Sequence, residues 1–337
     1  MPCDPPRLDS DAEYARRLRD DGLWVPLARR ALHQIGFAQP ARLWLTPHLG
    51  TYPVVLGDTG VVVKLFGDRF FGPDSHAAEA DAYRLLRQAD LPVPRLLGEG
   101  KLFPASDGWP WPFLVLSRVP GQPYAACQQL NQPARQRIAG AIGGVLRQLH
   151  AVPLDGVGPL GPDWARFTAL LERRRREAVQ DHRRWANLPP HILDQLDAWL
   201  PAPGALVDRR TRPRLVHGDL HAQHLFVDPE AGRLLAVIDF NDALAADARY
   251  DFVALHLETF CGDKALLRAC LDAYGWSPIG RAWSRGMLAL TLLHDFNMFD
   301  DLGPDAHLER FATLDELAAA LWDLDAPGLQ SSRHPVA

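Results

Sequence analysis

The chain has 337 residues, 47% of them hydrophobic, and 36 Lys and Arg against 41 Asp and Glu give it a formal net charge of −5. That length allows two domains or lobes with a sizeable core and excludes wholesale disorder. The acidic balance argues against a nucleic-acid binder and suits a cationic ligand; no apolar run approaches the ~18 residues of a membrane helix and the start lacks an apolar leader, so an unexported, cytoplasmic chain is expected.

Taken in chain order, residues 11–36 carry Leu18, Trp24, Leu27, Ala28, Ala31, Leu32 and Ile35 at helical spacing, interrupted near Gly22 and Pro26, which predicts one or two opening helices. ARLWLTP, TYPVVLG and GVVVKLF follow, β-branched or aromatic runs separated by Gly and Pro, and read as an antiparallel meander. A helix is expected over 76–88, then strands in LPVPRLLGEGKLF and WPFLVLSRV. Beyond residue 120 the pattern turns helical. A stripe of Ile138, Ile142, Val145, Leu146 and Leu149 predicts a helix between Pro133 and His150, and the Gly143-Gly144 pair inside it, at about 1 kcal/mol per glycine against Ala, implies close packing on a neighbour. Further helices fit 163–186, 190–200, 249–273, 280–300 and 313–323, with a β-hairpin over 215–239 among them. The fold class is therefore α+β and bilobal: a small antiparallel β-sheet lobe with opening helices over 1–119, and a large, mainly helical lobe over 120–337.

The hairpin carries the chemistry. HGDLHAQH lies between the extended Leu215-Val216 and the strand Leu225 to Val227, and a second strand, Leu234 to Ile238, ends in Asp239. Polar residues held between apolar strand ends are placed for function. The spacing is His217-Gly-Asp219, then His224 five residues on, then Asp239 twenty on. Phosphoryl transfer needs a carboxylate that orients and deprotonates an acceptor hydroxyl, and nearby metal ligands that bridge nucleotide phosphates. Protein kinases write this as HRDLxxxN followed by DFG; here it is HGDLHAQH followed by IDFND.

On these motifs the chain resembles the aminoglycoside phosphotransferase family, whose members share the bilobal fold of protein kinases. The segments VVKLFGDRFFGPDSHAAEADAY, LPVPRLLGEG, GWPWPFLVLSRV, DHRRW and LLHDF are similar, along nearly the whole length, to the branch of that family made up of hygromycin B 7''-O-kinases. The resemblance implies Asp219 as catalytic base, His224 and Asp239 as ligands of Mg²⁺, Lys64 on the nucleotide's α- and β-phosphates, and Glu79 as the acid that fixes Lys64. It implies ATP or GTP as donor, Ser117 and Val119 in the segment that meets the purine through its backbone, and Gly50 in the loop over the nucleotide, although PHLGTYPVV has one glycine and no GxGxxG. His224 stands where the family more often has asparagine, and imidazole is a softer ligand than an amide oxygen. The implied acceptor is a cationic aminocyclitol; the alternatives are another small hydroxyl compound, antibiotic or metabolite, on the same fold, and a non-catalytic nucleotide-binding protein. Glu258, Asp263, Asp295, Asp300 and Asp301, on C-terminal helices, are the candidate acids for its amines, and Asp295 in LLHDF leads because apolar residues flank it. A monomer is expected.

Other features are assigned structural duties. His217 is read as a brace of the loop, His221 stays undecided, and Asp242, Asp247 and Asp251 are left to turns and caps. The run ERRRREAVQDHRR, 172–184, is read as a solvated helix face. Cys3, Cys127, Cys261 and Cys270 show no metal or redox spacing.

Overall fold

The computed structural model describes residues 5–6, 8, 10–47, 50–127, 129–154, 158–277, 280–302 and 306–328, so Cys3 lies outside the described residues. The chain divides into two compact units, one of Met1–Pro120 with Asp239–Asp242, the other of Gly121–Ile238 with Ala243–Ala337.

The first unit opens with α1 (Asp11–Arg17), started by Ser10, whose hydroxyl accepts from the Glu13 amide, and α2 (Asp21–Gln34), started by Asp20 in the same way. The interruption foreseen at Gly22 and Pro26 falls at Asp20 instead: Pro26 is carried inside α2. Trp24, Leu27, Ala28, Ala31 and Leu32 form its buried stripe and share one core with Val55, Val61, Val63, Leu65, Phe113 and Val115. Those residues come from β2 (Val54–Gly57), β3 (Val61–Leu65) and β5 (Pro112–Ser117), which with β1 (Leu43–Leu45) and β4 (Leu96–Lys101) make an antiparallel sheet in the order β1-β2-β3-β5-β4. The expected meander is present. Side chains alternate across a strand, so Val61, Val63 and Leu65 enter the core while Lys64 points to the other face. There runs α3 (Gly72–Leu86), four residues longer at its start than the apolar pattern suggested.

The second unit holds β6 (Gln122–Pro123), α4 (Gln132–Leu149), α5 (Ala165–Trp185), and the short α6 (Pro190–Leu193) and α7 (Leu196–Trp199). Then come β7 (Arg214–Val216), β8 (Leu225–Asp228), β9 (Arg233–Val237) and β10 (Leu244–Ala246), followed by α8 (Arg249–Ala254), α9 (Lys264–Tyr274), α10 (Arg281–Leu292) and α11 (Leu314–Trp322). The expected hairpin is β8–β9; β6 extends it, and β7 pairs with β10 instead. The helix read over 249–273 is broken, because a π-turn at Leu255–Thr259 separates α8 from α9. Gly143 explains its own place in α4: a Cβ there would sit 2.0 Å from the Cys270 carbonyl oxygen of α9, whereas one at Gly144 would meet nothing within 4 Å.

No helix among the described residues is long and apolar enough to cross a membrane.

Candidate active site

In the first unit, β3 is flanked on both sides by β2 and β5, which fixes the direction of Lys64. Its ammonium donates to Glu79 Oε2 of α3 at 2.7 Å and to Asp239 Oδ1 at 2.6 Å. The lysine and glutamate side chains are 7% and 1% exposed, the aspartate 29%. Burial alone would push the ammonium down; the two carboxylates overrule it and hold Lys64 above the ordinary lysine value. Asp239 has φ of 69°, a left-handed conformation that aspartate tolerates better than most residues. The chain thus turns sharply just after β9. A carboxylate has about four lone-pair sites, so the lysine contact does not exhaust Asp239.

In the second unit, the loop between β7 and β8 is braced at almost every residue. The buried Asp251 of α8 accepts the His217 and Gly218 amides at 3.0 and 2.8 Å and also meets His150 Nε2 at 2.9 Å. Burial alone would raise this carboxyl group; the donors around it, His150 first, hold it below the ordinary value. His150 Nδ1 lies 2.9 Å from the Tyr274 hydroxyl. The Leu220 carbonyl accepts from Thr259 of the π-turn, and that of Ala222 accepts from the Ala125 amide. His217 is fully buried: Nε2 lies 2.8 Å from the Ile238 carbonyl oxygen, and Nδ1 accepts the Asp219 amide at 3.2 Å. These partners assign the tautomer with hydrogen on Nε2, and burial lowers the ring's pKa. It is neutral and occupied, a brace and not a base.

Asp219 leaves this scaffold with its carboxylate 17% exposed, 3.6 Å from His221 Nε2. His224 Nδ1 lies 2.8 Å from the Asp219 carbonyl oxygen, which puts the hydrogen on Nδ1 and the lone pair on Nε2. Asp219, His221 and His224 each offer one ligand atom within 4.8 Å of the others. His221 is therefore a member of the cluster that spacing left undecided. Asp251, His150 and Thr259 were missed as positioning residues, since only the folded chain brings α4, α8 and the π-turn to the loop.

Gly50 is exposed, and His48 and Leu49 beside it lie outside the described residues. Ser117 closes β5 with its amide and hydroxyl both bonded to Arg95, and Val119 is half-buried just beyond. Asp263 is the N-cap of α9, accepting from Ala265 and Leu266. Glu258 is half-buried in the π-turn. The expected helix over 280–300 stops at Leu292, so Asp295 and Asp300 are not helical residues of α10; the Asp301 side chain lies outside the described residues. The chain leaves the helix where the Asp295 amide donates to the Tyr250 hydroxyl at 3.2 Å and the Leu292 carbonyl oxygen lies 3.0 Å from His182 Nε2; the His294 carbonyl beyond it accepts from Arg174 Nε at 2.8 Å. Asp295 pairs with Arg173 at 2.6 Å. The preceding residue, His294, is fully buried and stacked on Tyr250 at 4.3 Å. Burial pushes its imidazole down to about 4, against the pull of the Asp219, Asp295 and Asp251 carboxylates. The reading of 172–184 as a solvated face is corrected: Arg174, Asp181 and His182 are buried, and Arg174 pairs with Asp181 at 2.5 Å, each charge making the other's burial tolerable.

A model of the phosphotransferase enzyme family matches residues 50–289. The chain is 28% identical over 231 residues to aminoglycoside 3'-phosphotransferase of Streptomyces fradiae, covering 61% of this chain and 78% of that one. It is 28% identical over 220 residues to acyl-CoA dehydrogenase family member 10 of Mus musculus, covering 61% of this chain but only 19% of the relative, so it spans about a fifth of that protein's length. A GDP complex of an aminoglycoside 2'-phosphotransferase-IIIa mutant superposes with a TM-score of 0.61 at 21% identity, over 86% of this chain and 90% of the other, and shows the fold. The chain belongs to the phosphotransferase enzyme family.

Proposed function

We propose that the chain transfers the γ-phosphoryl group of a nucleoside triphosphate, ATP or GTP, to a hydroxyl of a cationic aminocyclitol antibiotic, with hygromycin B as the acceptor. The observation that carries this reading is the Asp219 carboxylate, partly exposed on a loop whose backbone is tied down by Asp251 and Thr259. Direct transfer then runs as follows. The acceptor O–H gives its proton to Asp219 as its oxygen bonds to the γ-phosphorus; the bond from that phosphorus to the β-bridging oxygen breaks, and the nucleoside diphosphate leaves. Lys64, held as an ammonium by Glu79, is the group for the α- and β-phosphate oxygens, with Ser117 and Val119 offering backbone groups to the base and Gly50 in the covering loop.

Asp239 and His224 are the proposed ligands of Mg²⁺. Their chemistry fits a divalent cation, since Asp239 is a carboxylate and the His224 tautomer leaves the lone pair on Nε2. When bound, the ion supplies charge neutralisation on the phosphate oxygens. For the acceptor's ammonium groups, Asp295 is the first candidate: its partner Arg173 is 42% exposed, and such a pair is worth at most about 1 kcal/mol, so an amine can replace the guanidinium. Glu258 is a second candidate, and Asp263 a weaker one because capping already engages it.

The similarity to the Streptomyces 3'-phosphotransferases favours a second acceptor class, other aminoglycosides. A coupled nucleotide-consumption assay with hygromycin B and a panel of aminoglycosides, followed by mass spectrometry of the product, separates the readings. Turnover on hygromycin B with one phosphoryl group added supports the first; turnover only on other aminoglycosides replaces the acceptor; no turnover on any of them refutes the function.

A further inference from the structure

The loop that carries Asp219 gathers a ligand set of its own. One carboxylate oxygen of Asp219 and one ring nitrogen each of His221 and His224 lie within 4.8 Å of one another. His221 Nε2 is 3.6 Å and His224 Nδ1 3.7 Å from Asp219 Oδ2, and the two imidazole rings lie 3.7 Å apart at their centroids. Because His224 Nδ1 is the nitrogen that donates to the Asp219 carbonyl oxygen, ligation through it moves that hydrogen to Nε2 and gives up this contact. Around a tetrahedral ion with bonds of roughly 2.0–2.2 Å, ligand atoms stand about 3.4 Å apart, close to the spacing between His221 and the carboxylate. The three side chains are 29%, 12% and 17% exposed for His221, His224 and Asp219, open enough for an ion to enter and sheltered enough to replace its water.

The chemistry of the set selects the ion. Mg²⁺ prefers oxygen ligands in octahedral array, whereas two imidazoles and one carboxylate suit Zn²⁺ or Co²⁺ and leave a fourth position for water. We propose that Asp219, His221 and His224 form a binding site for a single borderline divalent cation of the Zn²⁺ type, whose occupancy withdraws the Asp219 carboxylate from the acceptor hydroxyl. The backbone is already held by Asp251 and Thr259, so little ordering is needed on uptake. His221 Nδ1 accepts the Gln223 amide at 3.2 Å, which places the ring hydrogen on Nε2. Ligation through Nε2 therefore moves the ring hydrogen to Nδ1, with no net release of a proton, and gives up the Gln223 contact.

Binding stands by itself; only the inhibition rests on the phosphotransferase reading. Full-length, tag-free, metal-stripped protein is titrated without nucleotide, with Co²⁺ followed by its visible d–d absorption and with Zn²⁺ by calorimetry. The wild type takes up one equivalent of each. His221→Ala and His221→Gln weaken uptake on the order of a hundredfold, since a ligand matters at least as much as the outer partners whose loss costs 10–100-fold, while their metal-free melting temperatures stay within about 3 °C of the parent. No stoichiometric Co²⁺ uptake, or unchanged affinity in both variants, overturns the site. In the transfer assay with saturating Mg²⁺, added Zn²⁺ inhibits the wild type, a chelator restores it, and His221→Ala requires correspondingly more Zn²⁺. Uptake without inhibition of an active enzyme overturns the silencing role; uptake by a chain with no turnover on any acceptor leaves the site standing and sinks the proposed function instead.

Discussion

Replacing Asp251 by asparagine isolates the scaffold under the proposed base. The carboxylate serves three buried donors, the amides of His217 and Gly218 and the imidazole of His150. Oδ2 takes two of them and Oδ1 takes one, so an amide in the same place keeps an oxygen on one side and turns an N–H₂ toward the other. His150 can adapt by moving its hydrogen to Nδ1, toward Tyr274. A backbone N–H cannot. At least one amide of the pair is left facing a donor, at about 1–3 kcal/mol; loss of the charge-assisted bonds brings the expected total to roughly 2–4 kcal/mol. Asp251→Asn should lower the urea midpoint accordingly at unchanged slope. The freed loop also displaces Asp219, and a misplacement of about 1 Å can cost roughly a hundredfold in rate, so kcat should fall while nucleotide KM holds. A variant with the parent's urea midpoint and a kcat within about twofold would show that Asp251 does not position the loop.

Glu79→Gln should destabilise the first unit by less than the roughly 3–5 kcal/mol of a fully broken buried pair, because Asp239 still faces Lys64, and should raise nucleotide KM; urea titration and steady-state kinetics check both. In α4, Gly143→Ala should destabilise through collision with the Cys270 carbonyl, whereas Gly144→Ala, with open space around it, should stabilise by about 0.5–1 kcal/mol, read as opposite shifts in thermal midpoint. His256 is fully buried beside Trp322 with its pKa lowered to about 4 from 6.5 by burial. The unfolded chain therefore binds the proton first: stability is fully present above pH 6.5 and falls toward pH 4, by on the order of 3 kcal/mol for this one group. His256→Gln should flatten that part of the urea midpoint–pH profile; an unchanged slope would show that His256 does not carry it.

Local pattern exposed the parts of this fold that local physics decides. Lys64 could be placed because a lysine amid valines in a strand is an anomaly, and the β2–β3–β5 meander because Gly and Pro separate its β-branched runs. The loop from His217 to His224 was legible as chemistry through its spacing. What stayed hidden depends on contacts far apart in sequence. Asp251 in sequence looks like any acid in a first helical turn; its duty exists only once α8 passes under the loop. Arg174 and Asp181 are charged residues on the buried stripe of α5, tolerated there because each pairs with the other, which periodicity counts as a polar face. The end of α10 at Leu292 likewise meets distant residues, as the Asp295 amide donates to Tyr250 and the Leu292 carbonyl lies against His182. Short strands such as β6 and β10 carry too few residues for any periodic signal.

If the Asp219 carboxylate takes the acceptor's proton, Asp219→Asn removes the base with the least disturbance of shape. Single-turnover transfer to hygromycin B, measured beside nucleotide affinity by calorimetry, should show the rate falling by roughly 10²–10⁴-fold, the usual contribution of a positioned base, with nucleotide affinity nearly unchanged. Transfer at the parent's rate, or a loss explained entirely by weaker nucleotide binding, would contradict that role for Asp219.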